Sequence, residues 1–490
     1  MSQYQIRLAL VPVVLALLSS CAVGPDYKRP EPASPAATQS TFKEAGNWKI
    51  ATPNDDIKRG KWWETFGDQE LNRLIEQVDI NNQNLKVAEA KYRQAQALGA
   101  SARSSFFPTI SASASETRSQ SGSGKSTSNT STGAALGASS ISTTHNLSAI
   151  FSWELDLWGR IRRQVESNDA STLASAADLE SARLSAQSEL ASNYFQLRVS
   201  DAQKQLLDDT VAAYAKSLEL TKNRYNVGVA GRVDVAQAEA QLRSAEAQAL
   251  DLGVQRAQLE HAIALLIGQA PGNFALIVSK WNAAVPTIPL ALPASLLERR
   301  PDIAAAERRA AAANAQIGVA KAAYYPTLSL TGSGGYSSPT FTDWISAPYR
   351  FWSLGPALAT TILDFGKRGA ATDQAVAVYD QNVATYRQTV LQAFQDVEDN
   401  LAALRILEAE SKVQNEAVRA ARESVVLTLN QYKAGTVSYL NVVSVQTAQL
   451  SNERSAMTLM GRRLTASVAL IKALGGGWSG ATLGSPIQTE

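Results

Sequence analysis

The chain of 490 residues has one cysteine, Cys21, and two histidines, His145 and His261, far apart. A single thiol closes no internal disulfide, and no cysteine or histidine stands at ligand spacing to hold a metal. Three methionines supply no relay of soft ligands. The formal net charge is +2, without any block of consecutive lysines and arginines, so nothing draws the chain to nucleic acid. Beyond Cys21 no apolar run approaches the roughly 20 residues of a spanning helix. If the mature chain crosses a bilayer, it does so as a closed β-barrel.

Motifs of catalysis are also wanting. Gly122-Ser123-Gly124-Lys125-Ser126-Thr127 ends like a phosphate-binding loop, but Ser119 stands where its first glycine belongs, and no strand and helix flank it. Asp364-Phe365-Gly366 spells a kinase magnesium motif with no His-Arg-Asp loop before it. Glu154 and Asp156, two apart on a candidate strand, share one face and read as polar lumen-facing residues, not as an acid/base pair. The chain is read as no enzyme, with no metal and no cofactor.

What is present starts at the N-terminus. Arg7 precedes an apolar run from Leu8 to Leu18, the length of a signal-peptide core. The run ends in Leu18-Ser19-Ser20-Cys21, which resembles the bacterial lipobox. Residues 1–20 are therefore expected to be removed and Cys21 acylated, with 21–66 a lipid-anchored segment. Each acyl methylene in the leaflet contributes about 0.8 kcal/mol. Ala22 follows, where an Asp would suggest retention at the inner membrane.

An internal duplication organises the rest. Phe106-Phe107-Pro108-Thr109-Ile110-Ser111 recurs as Tyr324-Tyr325-Pro326-Thr327-Leu328-Ser329, and Trp158-Gly159-Arg160 as Phe365-Gly366-Lys367. Tyr225-Asn226-Val227-Gly228 recurs as Tyr432-Lys433-Ala434-Gly435. Spacing differs only between the Pro and the Trp/Phe-Gly, where the first copy is longer. The repeats are expected over 67–270 and 301–475, joined by a proline-rich linker, 271–300, with a tail at 476–490. Each reads as helix, strand, loop, strand, very long helix, tight turn, helix. The long helices are expected over 160–227, 232–267, 370–434 and 436–474. Ala, Leu, Gln, Glu and Arg dominate them, and an unbroken stretch of the longer kind would reach roughly 100 Å. Leu242, Ala245, Leu252 and Leu259 fall on one narrow stripe, suited to coiled-coil packing.

Strands are expected at about 104–116, 145–158, 324–334 and 350–365. Leu147, Ala149, Phe151, Trp153 and Leu155 alternate with Ser148, Ile150, Ser152 and Glu154, so one face is greasy and the other largely polar. Aromatics gather at the strand ends, as an interfacial girdle would require. Four strands per chain cannot close a barrel, and an open edge cannot sit in lipid. Several chains must share one barrel.

Trp62-Trp63, Phe66-Gly67-Asp68-Gln69-Glu70-Leu71, Leu155-Asp156-Leu157-Trp158-Gly159, Leu297-Glu298-Arg299-Arg300-Pro301-Asp302-Ile303 and the duplicated Pro-Thr strands together resemble the outer-membrane factor family, typified by TolC, with OprM and CusC as lipidated members. The resemblance spans essentially the whole mature chain. It implies a membrane β-barrel plus an all-α periplasmic tunnel, with four strands from each chain of a homotrimer in a twelve-stranded barrel. It implies the outer membrane of a Gram-negative bacterium, and the exit channel of a tripartite efflux pump that passively conducts drugs or other small toxic compounds. The partners implied are a periplasmic adaptor and an inner-membrane transporter of the RND type, besides outer-membrane lipid. The positions that match the family's adaptor-docking tips are Val227, Gly228, Val229, Ala434, Gly435 and Thr436. Leu440 matches a residue that narrows the closed entrance. Ser444 stands where relatives place an Asp, so closure here is expected to lean on apolar contact rather than an acidic ring. A protein-secretion conduit and a lipid-anchored periplasmic coiled-coil scaffold are the alternative readings.

Overall fold

The computed structural model describes residues 22–31, 61–120, 141–279, 285–286 and 300–476. Cys21 and the signal segment, the Gly122–Thr127 motif, most of the linker and all but the first residue of the tail lie outside them. The first two helices start where a side chain satisfies free backbone N–H groups. The Asp68 carboxylate accepts from the Glu70 and Leu71 amides at 3.0 and 3.1 Å and opens α1 (Gln69–Asn81). Asn82 accepts from the Leu85 amide at 3.1 Å and opens α2 (Gln83–Ser104). There follow β1 (Thr109–Gln120), β2 (Ile141–Leu155), α3 (Arg160–Asn226), α4 (Arg232–Leu266), α5 (Pro301–Ala322), β3 (Thr327–Ser338), β4 (Arg350–Ala359), α6 (Lys367–Lys433) and α7 (Tyr439–Ala473).

From α2 onward the duplication holds element by element. α2 and α5 both have 22 residues, β1 and β3 both 12, α3 and α6 both 67, α4 and α7 both 35. Only β2, with 15, and β4, with 10, differ.

The chain divides into two compact units, each assembled from both repeats, not one unit per repeat. The first takes Met1–Arg29, Gln94–Thr172 and Arg309–Asn382. It holds one antiparallel sheet in the order β1-β2-β3-β4. Pairing sets Ile110 opposite Phe151, Phe151 opposite Gly332 and Gly332 opposite Leu354, so the alternation carries across all four strands. Ile110, Phe151, Leu328 and Leu358 share one face, while Ser113, Ser148, Gly335 and Phe351 lie on the other. Beyond the sheet, Asp156 accepts from the Ile161 and Arg162 amides at 2.9 and 2.8 Å and caps α3. In the second repeat Asp364, one position nearer the helix than Asp156, accepts from the Arg368 amide at 3.2 Å and from its guanidinium at 2.6 Å. Both acidic motifs that looked chemical are helix caps, each contributing about 1 kcal/mol. Glu154 is taken by Arg160 in a two-bond fork at 2.9 and 2.7 Å. The segment after Cys21 is pinned here as well: the Val23 amide donates to the Trp158 carbonyl at 3.0 Å, and Arg163 reaches Asp26 at 2.7 Å.

The second unit takes Pro30–Arg93, Leu173–Arg308 and Val383–Glu490. Its main core packs Trp62, Trp63, Leu71, Tyr194, Phe195 and Tyr386 with Leu464 and Val468, all buried. Arg300, from the Arg-Arg-Pro-Asp motif, reaches Asp302 at 2.6 Å, Asp396 at 3.1 Å and the Ala473 carbonyl at 3.2 Å. It ties the start of α5 to α6 and to the end of α7, so the motif is a structural clamp. Another network holds the chain after α4: Arg198 and Arg256 flank buried Asp201 and donate to the Ile277 and Leu276 carbonyls at 2.8 and 2.6 Å. Tyr194 donates to Asp68 at 2.7 Å, and burial first, then that bond, pushes its phenol upward.

The boundaries differ from expectation in instructive ways. The first strand begins at Thr109 rather than 104, because α2 runs through Ser104 and closes with backbone bonds at Ser105, Phe106 and Phe107. It continues to Gln120, paired with Ile141, so β2 also starts earlier than 145, and it ends at Leu155 where the Asp156 cap takes over. The third strand likewise occupies 327–338 instead of 324–334. The fourth ends at Ala359, not 365, since no strand lies beside the residues that follow. The sixth helix starts three residues before 370, set by the Asp364 cap. The seventh starts at Tyr439 instead of 436, because Thr436 to Ser438 complete the turn.

Candidate functional site

Two turns in the second unit join the long helices, α3 to α4 and α6 to α7, and they have the same construction. At the first, the Val229 amide donates to the Arg224 carbonyl and the Gly228 amide to the Tyr225 carbonyl, both at 2.9 Å. At the second, Thr436 donates to Gln431 and Gly435 to Tyr432, both at 3.0 Å. These are paired Schellman closures, which demand a left-handed residue, and Gly228 and Gly435 both lie at φ 77°. Any β-carbon there is strained, though the space around Gly228 is open.

What the turns present is not the same. Val227 and Val229 are 73% and 63% exposed, and Tyr225 and Val233 beside them are also exposed. On the second turn Ala434, Gly435 and Thr436 are exposed, but Tyr432, the counterpart of Tyr225, is buried. Its ring meets the Tyr439 ring edge-on at 5.3 Å, in a cluster with Tyr214, Leu218, Leu242 and Val442. Burial raises the Tyr439 and Tyr214 phenols. Arg224 links the two turns: it lies 4.8 Å over the Tyr432 ring and donates to the Lys433 carbonyl at 2.9 Å. The sequence reading did not single out Arg224 or Tyr439. A tyrosine on each side of the second turn was the only signal available.

Leu440, 57% exposed, and Ser444 stand one helical turn apart on the outer face of α7. No carboxylate stands at either position. The nearest acid of the first tip, Asp234, is spent on the Gly231 amide at 3.2 Å. Tip residues and the Leu440/Ser444 pair are thus brought to one end of the second unit, apolar and hydroxyl-bearing.

In the first unit the notable surface is the sheet itself. Ile110, Trp352, Leu354 and Leu358 are 65 to 77% exposed. Among the described residues β1 and β4 each have a neighbour on one side only. His145 is buried against Phe341 and Trp344, with Glu116 at 3.6 Å. Among the described residues no group of His, Cys, Asp and Glu could hold a metal, and no helix is long and apolar enough to cross a membrane.

The family model described as outer membrane efflux protein matches residues 74–269 and 292–476. The chain is 31% identical over 470 residues to the probable efflux pump outer membrane protein TtgC of Pseudomonas putida, covering 95% of this chain and 94% of that protein. It is 27% identical over 472 residues to the cation efflux system protein CusC of Escherichia coli, covering 96% and 98%. Among solved structures, the outer-membrane channel OprN superposes with a TM-score of 0.84 at 31% identity, over 94% of this chain and all of that one. The open-state MtrE channel of Neisseria gonorrhoeae gives 0.79 at 28%, over 93% and 98%.

Proposed function

The chain belongs to the outer membrane efflux protein family, and from that membership we propose that it is the trimeric exit duct of a tripartite pump. It is an outer-membrane efflux channel of a Gram-negative bacterium, with a helical periplasmic tunnel. The finer assignments are these. Three copies join their sheets into one barrel, and Cys21 carries an acyl anchor in the adjoining leaflet. Val227, Gly228, Val229, Ala434, Gly435 and Thr436 meet a periplasmic adaptor, which couples the duct to an inner-membrane transporter of RND type. Leu440 and Ser444 narrow the entrance by apolar contact, and widening it draws α7 and its turn away from the first turn. The duct catalyses nothing; energy comes from the transporter.

The observation that carries this reading is the sheet: four strands with an apolar face exposed and, among the described residues, both edges free, which is unstable in water and in lipid until other copies complete it. That sheet also disfavours a barrel-less periplasmic scaffold.

In-cell photo-crosslinking from Val229 and Val437 tests the assignment of the tips. The expected product is a covalent adduct with an adaptor whose own gene product is needed for resistance to the exported compound. Adducts only with unrelated periplasmic proteins, from a correctly assembled channel, would remove the pump from the reading.

A further inference from the structure

The two ends of the sheet differ in character. The helices that flank the strands all join at one end: α2 and α5 lead into Thr109 and Thr327, and α3 and α6 follow Leu155 and Ala359. The other end, at Gln120, Ile141, Ser338 and Arg350, carries only connections between strands. There the β3–β4 connection folds back over the apolar face. Phe341 and Trp344 lie against the His145 ring at 5.6 and 6.0 Å and against each other at 5.6 Å, and Ser338, opposite His145, is fully buried. The Ser338 hydroxyl donates to the Thr340 carbonyl at 2.9 Å and shapes the turn. The resulting knob still leaves Phe341 69% and Ile345 66% exposed, with Trp352 on the same face at 77%.

Two arginines stand on this face, one on each side of the knob. Arg118 lies two residues beyond Glu116, which faces His145, and Arg350 faces Tyr336, two residues before Ser338. Each is thus a diagonal neighbour of the His145–Ser338 pair, about 7–8 Å away. Both are exposed, and among the described residues neither guanidinium has a hydrogen-bond or ion-pair partner. The acids beside them are turned elsewhere: Glu116 lies 3.6 Å from His145 Nδ1, and Asp343 accepts from the Thr340 hydroxyl at 3.1 Å.

We propose that this rim, with Arg118 and Arg350 flanking the knob at 341–345, binds the phosphate groups of an outer-leaflet lipid, the phosphorylated glycolipid that Gram-negative bacteria display there. The inference rests on the barrel reading, which turns the apolar face to lipid, and adds to it a headgroup site.

Three observations converge on it. First, the depth is right. From Leu358 to Arg350 the strand runs about 27 Å, or about 20 Å along the membrane normal once tilted, against a lipid-facing band about 25 Å tall. Arg350 therefore stands at headgroup level, with Trp352 at the interface beneath it. Second, the charge is confined to this end. Besides His145, the only ionisable side chains that the strands carry on the apolar face with full charge are Glu116, Arg118 and Arg350, and below them it is apolar or small. Third, the chemistry fits. A guanidinium takes phosphate through two parallel hydrogen bonds, and the exposed Phe341 and Ile345 offer apolar surface to the sugar and the first acyl methylenes.

Native mass spectrometry of the delipidated full-length channel counts what it binds. The probes are the diphosphorylated glucosamine-disaccharide lipid of the outer leaflet, its dephosphorylated form, and phosphatidylglycerol, with inorganic phosphate as competitor. Expected is a preference of about tenfold for the diphosphorylated over the dephosphorylated lipid, and an equal loss in Arg118→Gln with Arg350→Gln. Arg350→Lys should lose less, since it keeps the charge without the fork. Arg419→Gln, on an exposed arginine of α6, should bind like the parent. If the double variant assembles poorly, each single variant replaces it, with about a threefold loss expected. Unchanged binding in assembled arginine variants overturns the site. Equal uptake of phosphatidylglycerol overturns the glycolipid as its occupant, and displacement by millimolar inorganic phosphate reduces it to a simple anion site. A parent chain that neither oligomerises nor inserts into lipid overturns the barrel reading instead.

Discussion

Arg224 offers the sharpest test of the proposed entrance. It joins the first turn to the second, through a stack on Tyr432 at 4.8 Å and a hydrogen bond to the Lys433 carbonyl at 2.9 Å. At a partly exposed site the stack contributes about 0.5–1 kcal/mol. A charged donor to a carbonyl contributes about 1.5–3 kcal/mol when buried, and solvent at this turn brings that to about 1. Arg224→Ala therefore removes about 1.5–2 kcal/mol from each chain in the closed arrangement. If three chains open together, the sum is about 4.5–6 kcal/mol, a shift of about 10³- to 10⁴-fold in the open-to-closed ratio. Arg224→Lys keeps a donor but loses the planar stack and should fall between. Single-channel recording in planar bilayers measures the open fraction, and uptake of a large antibiotic by intact cells gives an independent readout. An open fraction within threefold of the parent, from a properly assembled Arg224→Ala channel, would refute the claim that this contact restrains opening.

Other outcomes follow from the same contacts. Burial raises the Asp79 carboxyl, opposed by its bond to Gln187, so its ionisation works against the fold. Its contribution is present below the unfolded-state pKa and lost as pH rises through the higher folded value. Asp79→Asn should accordingly melt higher than the parent near pH 7 and equal it below about pH 3 in calorimetric scans. Arg300→Gln leaves Asp302, Asp396 and the Ala473 carbonyl without their cation. Both carboxylates are one-third exposed, so the expected loss is about 1–2 kcal/mol in denaturant titrations rather than the 3–5 of a fully buried pair. Cys21→Ser should abolish incorporation of labelled palmitate, and label retained by that variant would place the acyl group elsewhere.

Much of the fold was legible because the chain punctuates itself twice. Gly228 and Gly435, Pro108 and Pro326, Gly159 and Gly366 mark the same joints in both copies, and the uninterrupted helix formers between them leave little choice. Strand ends were less legible, since they depend on a neighbour: Gln120 is in a strand because Ile141 faces it, and Thr360 is not, because none of the described residues pairs with it. Side-chain clamps were hidden for a different reason. Arg300 with Asp396, or Arg198 with the Ile277 carbonyl, join residues scores of positions apart, and sequence spacing carries no trace of that. Of the candidate site, the two turns were readable from the sequence and Leu440 only from the family resemblance, whereas the burial of Tyr432 against its exposed counterpart Tyr225 was readable from neither. Duplicated residues diverge where the copies face different surroundings.

The free edges of the sheet also have a genetic consequence. A ring built from one gene product mixes whatever alleles the cell expresses. If half the chains carry a β4 that cannot receive a neighbour, only about one-eighth of three-membered rings are wholly sound. One defective seam leaves a ring unclosed, so such an allele should be dominant over the normal gene, whereas a null allele should be recessive.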